Sequence, residues 1–483
     1  METNATRMCA LLVGLPDVTV IGVADVEGQP LGVHVETNAT VVGCAGCGTR
    51  AWSKGRRQVE LVDLPAFGRP VVLVWNKRRW CCPEGTCDVG TFTEARPAIA
   101  PARSGVTDRA GRWMCRQVGQ GRAVSAVAGE LGCDWHTVMD AVVAYGTPLI
   151  DDPGRIGEVT ALGLDETLFV REGPWNVRSW VTSIVDVTRP AQLLDVVEDR
   201  TAKAPSDWLD ARPQDWCDGI AWGVIDLSGP YRKTFGDSLP DAVLVADPFH
   251  VVKVANTRLD DVRRRTQQET LGHRGHRDDP LYRSRKLLTI GHERLDDNGN
   301  AKLENLLEAG DPHGEVRMAW HAKETLRGLY DQPANTAVGY LDDLIDSLVD
   351  PAMAPELRQL GRTLRTWRTE ICAWHRAQVS NGPTEATNNL IKIIKRIGFG
   401  FRRFRNYRLR VLLYAGNPHW DLLATLPRPP HPEIRRASSA STSEEGRQRL
   451  ASHAVPLIWR HSRYMLGTVG PQSRRGLRCS TTR

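Results

Sequence analysis

The apolar positions change period several times along the chain. From 17 to 42, VTVIGVADVEG and LGVHVET alternate valine with other residues around a turn at 27–30, which predicts short half-buried strands. VGCAGCGTRAW and PVVLVWNKRRWCCPEGTC continue as strand, cysteine knuckle, strand, cysteine knuckle, and the Pro/Ala-rich run 97–104 predicts a boundary. From 106 to 146 the pattern becomes helical: GRWMCRQVGQG, AVSAVAGELG and CDWHTVMDAVVAYG predict three helices, with a short turn at Gly132 between the second and third. That is the helix-turn-helix pattern, and Ala128, Leu131 and Val138 fall where its helices pack.

Between 158 and 250 the strand pattern returns. EVTALGLDETLFV, SWVTSIVDV and AQLLDVVED predict three consecutive strands, 206–211 a polar helix, IAWGVIDL a buried strand, 230–239 a helix and DAVLVADPF a fifth strand. The order β-β-β-α-β-α-β is that of a ribonuclease H-like core. Residues 251–375 carry amphipathic helical runs, and EATNNLIKIIKR predicts a last helix. From 427 the chain is rich in Pro, Ser and Arg, and 425–483 is expected to be a disordered tail. The expected fold class is therefore multidomain α+β: a β-rich zinc-ribbon domain over 1–97, a helix-turn-helix domain over 105–150, and a ribonuclease H-like α/β core over 158–424.

Composition narrows this picture only a little. At 483 residues, 41% hydrophobic and 25% charged, the chain is an ordinary globular protein of two to four domains. A net charge of +6 does not by itself demand a polyanionic partner, but 392–410 holds eight Lys or Arg and no acid, the footprint a phosphate backbone needs. No run approaches the ~20 apolar residues of a membrane span. The short apolar run Cys9–Leu15 lacks a basic leader, so a cytoplasmic protein is expected. Eleven cysteines, four of them in two close pairs, suggest metal before disulfides.

The chemistry gathers in four places. Cys44-x-x-Cys47 and Cys82-x4-Cys87 have the spacing of a structural Zn²⁺ site, with Cys81 competing with Cys82; four thiolates leave no open position for substrate. Trp135, His136 and Thr137 begin the third helix, where a recognition helix reaches base edges; an ordinary helical hairpin is the plainer alternative. Asp165 and Asp226 are expected at the ends of the first and fourth core strands, which are neighbours in such a fold. With a third carboxylate from a late helix they form a set that holds two Mg²⁺ (or Mn²⁺) ions for phosphodiester chemistry. Glu385 is the candidate third acid: Ser380 or Asn381 can cap its helix, Pro383 can begin it, and Asn388, Asn389 and Lys392 share its face. Asp247 and His250 pair in DPFH, and Asp247 competes with Asp226, which the strand count favours.

These residues make the chain resemble the bacterial insertion-sequence transposases of the ISL3 type. The likeness rests on VVGCAGCG and RRWCCPEGTC, on GLDE, on DPFHVVKVAN and on SNGPTEATNNLIKIIKR followed by GFGFRRFRNYRLR, across about residues 30–420. It implies a DDE transposase whose core is interrupted by a helical insertion over about 251–375, with N-terminal modules that recognise inverted repeats in double-stranded DNA. Asp165 and Glu385 match the first and last acids. DPFH resembles the (C/D)-x-x-H motif that follows the second acid in Mutator-like transposases, which points to Asp226. Lys392, Lys395, Arg402 and Arg403 are then expected on phosphates, and a homodimer or higher oligomer is implied by the likeness alone. The Cys81–Cys82 doublet and the tail depart from the family. The competing expectations are a DNA-binding regulator with an inactive core and, from fifteen Trp, a protein-binding scaffold.

Overall fold

The computed structural model of the chain describes residues 2–38, 41–172 and 177–426. The expected tail lies outside these residues except for Thr425 and Leu426. Among the described residues no helix is long and apolar enough to cross a membrane.

Helix α1 (Ala5–Val13) opens the chain, an element the short apolar run did not announce. Strands β1 (Val18–Ala24), β2 (Leu31–Thr37), β3 (Trp52–Ala66), β4 (Arg69–Cys81) and β5 (Thr91–Thr93) form one sheet in the order β1-β2-β4-β3, with β5 also on β4. Its core is Val18, Val20, Val33, Val35, Leu61, Leu73 and Trp75, covered by Cys9 and Val13 of α1. The long hairpin β3–β4 turns at Phe67 and Gly68, both with positive φ, as a tight two-residue hairpin turn requires. Its open end therefore brings the segment before β3 beside the segment after β4.

Helices α2 (Asp108–Gly119), α3 (Val124–Leu131) and α4 (Trp135–Ile150) follow as expected. Gly132 ends α3 in the left-handed region, and Asp134 caps α4 by accepting the Thr137 N–H at 2.7 Å. Ala128, Leu131 and Val138 are buried between them.

The second sheet consists of β6 (Ala161–Glu172), β7 (Val177–Asp186), β8 (Gln192–Glu198), β9 (Trp222–Ile225) and β10 (Val243–Ala246), in the order β10-β9-β6-β7-β8. The first three strands pair antiparallel, and β9 and β10 join parallel to β6. Helices α5 (Lys203–Asp210), α6 (Gln214–Asp218) and α7 (Gly229–Ser238) connect them. A helical segment then runs through α8 (Pro248–Leu271), α9 (Pro280–Ser284), α10 (Asp297–Gly310), α11 (Glu315–Gly328), α12 (Ala334–Val349), α13 (Pro355–Thr366) and α14 (Arg368–Ala377). It begins three residues before the expected 251, so Pro248–His250 already belong to a helix. Next come α15 (Gly382–Ile397), α16 (Phe404–Ala415) and the short α17 (Leu422–Thr425).

Alternate residues of the second sheet feed two cores. Leu162, Leu164, Ile184 and Ile225 pack with Tyr231, Phe235, Val251, Leu259 and the helical segment. Ala161, Val181, Val185 and Val224 pack on the other face with Ile391, Ile394 and Leu412 of α15 and α16, and through α16 the same core continues into Met114, Val127, Val138 and Val142 of α2, α3 and α4. The three-helix module thus shares its core with the second sheet instead of closing on one of its own.

Candidate functional site

The Sγ atoms of Cys44, Cys47, Cys82 and Cys87 all lie within 4.8 Å of one another. Cys44 faces Cys87 at 3.7 Å and Cys47 faces Cys82 at 3.4 Å. A tetrahedron of Zn–S bonds of about 2.3 Å has edges of about 3.8 Å, so this donor set fits zinc. Cys81 pairs with Trp52 inside the hairpin and stays outside the cluster, so the structure gives that position to Cys82. A Cβ at Gly46 would meet Val89 Cγ2 at 2.6 Å; its absence lets the second knuckle close on the first. Backbone N–H groups of Cys47 and Gly46 lower Cys44, and the Thr49 hydroxyl and N–H bring Cys47 down to about 6. In Cys82 and Cys87 the backbone N–H bonds from Glu84 and Val89 are outweighed by burial and the neighbouring thiols, which raise them, so the metal-free set favours two thiolates and two thiols.

The acidic site sits where β9 stops. Leu164 of β6 pairs with Ile225, the last residue of β9, so Asp165 and Asp226 come next on adjacent parallel strands, whose spacing is about 4.8 Å. Asp165 is not at its strand's end: β6 runs on to Glu172 because its hairpin with β7 outlasts its pairing with β9. One carboxylate oxygen each from Asp165, Glu166 and Asp226 lie within 4.8 Å of one another.

The electrostatics are those of crowded carboxylates. Burial, then Asp165 and Glu166, push Asp226 up to about 6. Burial also raises Asp165, against hydrogen bonds from the Glu166 N–H and Asn388, and raises Glu166, with Asp165 adding to it. Asp226 Oδ1 is buried with no hydrogen-bond partner. Close carboxylates with an unused oxygen suit a divalent cation.

Asp247 is occupied differently. It caps α8: Oδ2 accepts the His250 N–H at 3.2 Å and contacts His250 Nδ1 at 3.0 Å, while Oδ1 accepts the Asn381 N–H at 2.8 Å. Burial raises its pKa, but these bonds outweigh burial and leave it lowered. His250 is raised in return, first by its bond to Asp247. Its Nε2 stands 3.6 Å from Glu385 Oε1. Glu385 thus lies on His250, outside the three-carboxylate cluster.

Helix α15 approaches β6 closely because residue 163 is glycine, where a Cβ would stand 2.4 Å from Thr384 Oγ1. This seats Asn388 against the sheet: its Nδ2 donates to Asp165 Oδ2 at 2.7 Å, and its Oδ1 accepts from Ser183 Oγ at 2.8 Å. Asn388 is buried, so the expected common face with Glu385, Asn389 and Lys392 is split, and the latter three remain accessible. Asn381 is the N-cap residue, but its side chain makes no capping bond.

Of the basic residues, Lys395 is committed, its ammonium donating to the Leu168 carbonyl at 2.6 Å, whereas Lys392, Arg402 and Arg403 are exposed. Trp135 and His136 are exposed at the start of α4, and Thr137 is half-buried. Glu166 was missed by sequence reasoning because strand alternation sends neighbours to opposite faces; its place beside Asp165 in GLDE was the only signal.

A transposase family model of the DDE, ISL3 type matches residues 162–411. Residues 40–87 match the zinc-finger of the transposases of IS204, IS1001, IS1096 and IS1165, and 95–146 match the helix-turn-helix domain of transposase family ISL3. The chain is 26% identical over 410 residues to the transposase for insertion sequence element IS1001 of Bordetella parapertussis, covering 81% of this chain and 93% of that protein. It is 30% identical over 332 residues to the transposase for insertion sequence element IS1557 of Mycobacterium tuberculosis, covering 64% and 71% respectively.

Proposed function

This chain belongs to the ISL3 transposases, and from that membership we propose that it binds the terminal inverted repeats of an insertion sequence and catalyses metal-dependent strand cleavage and strand transfer. The observation that carries the reading is the side-by-side placement of Asp165 and Asp226 on adjacent parallel strands. The strand order, three antiparallel followed by two parallel, supports a ribonuclease H-like core.

Asp165, Asp226 and Glu385 are the proposed catalytic acids, with Mg²⁺ or Mn²⁺ held first by Asp165 and Asp226. Divalent ions there would neutralise charge on the attacking and leaving oxygens of the phosphodiester. Asn388 donates to one oxygen of Asp165 and the Glu166 N–H to the other, which fixes the Asp165 rotamer; each oxygen keeps a lone pair for a ligand. Asp247 is a positioning residue: it orients His250 and raises its pKa, and His250 faces Glu385 beside the cluster. Water attacks the phosphodiester at the element's end, and the freed 3′-hydroxyl attacks target DNA. No covalent protein–DNA intermediate is needed. The four-cysteine ribbon is structural, and Trp135, His136, Thr137, Lys392, Arg402 and Arg403 are the proposed DNA contacts, in an assembly of two or more chains that bridges two ends. Lys395 supports β6 instead.

The position of Glu385 outside the cluster favours a second reading, a DNA-binding regulator with an inactive core. Cleavage of DNA carrying the element's ends, with Mg²⁺ or Mn²⁺, separates the two. Wild type should cut, Asp226→Ala should not, and Asp247→Ala should cut slowly. Specific binding by wild type with no cleavage would establish the regulator.

A further inference from the structure

A cavity of about 560 Å³ separates the start of α4 from the segment joining α15 to α16. On one wall Trp135 is 42% exposed, with His136 edge-on to it at 5.3 Å between ring centroids. On the other, Phe399 has a φ of 51° between Gly398 and Gly400 and is 93% exposed. A non-glycine residue in the left-handed region that also leaves a whole aromatic ring in water is unfavourable twice over, and no packing offsets it.

The lining also includes an underused cation. Arg410 of α16 is 4% exposed and lies over the Phe401 ring at 5.3 Å. Its Nε is buried with no hydrogen-bond partner, and its bond to the Arg122 carbonyl is long, 3.5 Å. Burial lowers it to about 10, so it stays charged at neutral pH. Arg402, Arg403 and Arg405 add exposed guanidinium groups with no carboxylate partner among the described residues, against a single lining acid, Asp140.

A buried guanidinium with a free donor favours an anion, and exposed rings favour a flat apolar partner. A base-paired duplex offers the phosphate but hides its base faces in the stack, whereas an unpaired nucleotide offers both. We propose that this cleft binds an unpaired nucleotide of the DNA end, its base stacked on Phe399 and facing Trp135, its phosphate on Arg410 and Arg402. The proposal rests on the transposase reading and adds to it a site for melted DNA, separate from the carboxylates.

The test uses the full chain and two forms of the element's end: fully paired, and with three unpaired nucleotides carrying 2-aminopurine. Wild type should bind the unpaired form about tenfold more tightly and change the 2-aminopurine emission, in line with base–aromatic stacking. Phe399→Ala should bring the ratio of the two affinities near one and abolish the emission change, while Phe399→Trp retains both. Arg410→Lys should reduce the ratio. Equal affinity of wild type for the two forms, or an unchanged ratio in Phe399→Ala, would overturn the proposal. If wild type still cuts the paired form in that case, the transposase reading survives and only the cleft's role is lost.

Discussion

Replacing Asp226 with Asn should stabilise the metal-free protein. In wild type, burial and the charges of Asp165 and Glu166 raise the Asp226 carboxyl from 3.8 to about 6. A shift of about two pKa units corresponds to about 3 kcal/mol held against the ionised form. Residual solvent access and relaxation reduce this to about 1–2 kcal/mol. The sign follows from the raised value: well below 3.8, at about pH 3, the group is neutral in both folded and unfolded states and the penalty is absent. It grows as pH rises from about 4 to about 6, and it is full above that. Asn is isosteric and never ionises, so at pH 7.5 in EDTA the variant should melt about 2–6 °C above wild type, and the difference should vanish by about pH 3. Mg²⁺ reverses the order. At about a hundred times its Kd it adds about 2.7 kcal/mol to wild type, more than the variant's advantage, and the variant, lacking one ligand, should gain little. Thermal melting across pH, with EDTA or Mg²⁺, reads all of this. A variant that melts below wild type in EDTA at pH 7.5, or that Mg²⁺ raises as much as wild type, would refute the repulsion argument and the metal assignment with it.

Four other variants separate the remaining roles. Cys82→Ser should release the zinc, whereas Cys81→Ser should retain it, as zinc content after gel filtration will show. Asp247→Asn keeps a capping oxygen but weakens the hold on His250. It should lower the His250 pKa seen by NMR titration and slow cleavage about tenfold, with the Mg²⁺-induced rise in melting temperature retained; loss of that rise would make Asp247 a metal ligand. The double variant Arg402→Ala/Arg403→Ala should flatten the slope of log Kd against log salt by about two for duplex DNA, and an unchanged slope would remove both residues from the phosphate contacts.

Much of this arrangement was legible because it is local. The valine-rich alternation of the strands, the knuckle spacing of Cys44, Cys47, Cys82 and Cys87, and the caps around Gly132 and Asp134 are each written within a few residues. The adjacency of Asp165 and Asp226 needed only the strand count. What was not legible depends on distant packing. Asn388 looked like a companion of Glu385 on one face because its helix spacing matches; only the close seat provided by Gly163 turns it toward Asp165 and Ser183. Asp247 looked like a ligand because the bond that occupies its second oxygen comes from Asn381, far along the chain. Lys395 carries the charge of a phosphate contact, but the register of α15 on β6 gives its ammonium to Leu168.

The core shared by α2, α3 and α4 with the second sheet has a mechanical consequence. Met114, Val127, Val138 and Val142 are joined through Leu412 of α16 to the core that holds Val181, Val185 and Val224, so α4 is not tethered to the sheet by its connector alone. If α4 reads DNA, the separation between the bases it reads and the carboxylates is set by buried side chains, as on a rigid ruler. Lengthening the connector between Ile150 and Ala161 should therefore leave the position of the cut unchanged to the nucleotide, whereas trimming a buried residue at that seam should blur it.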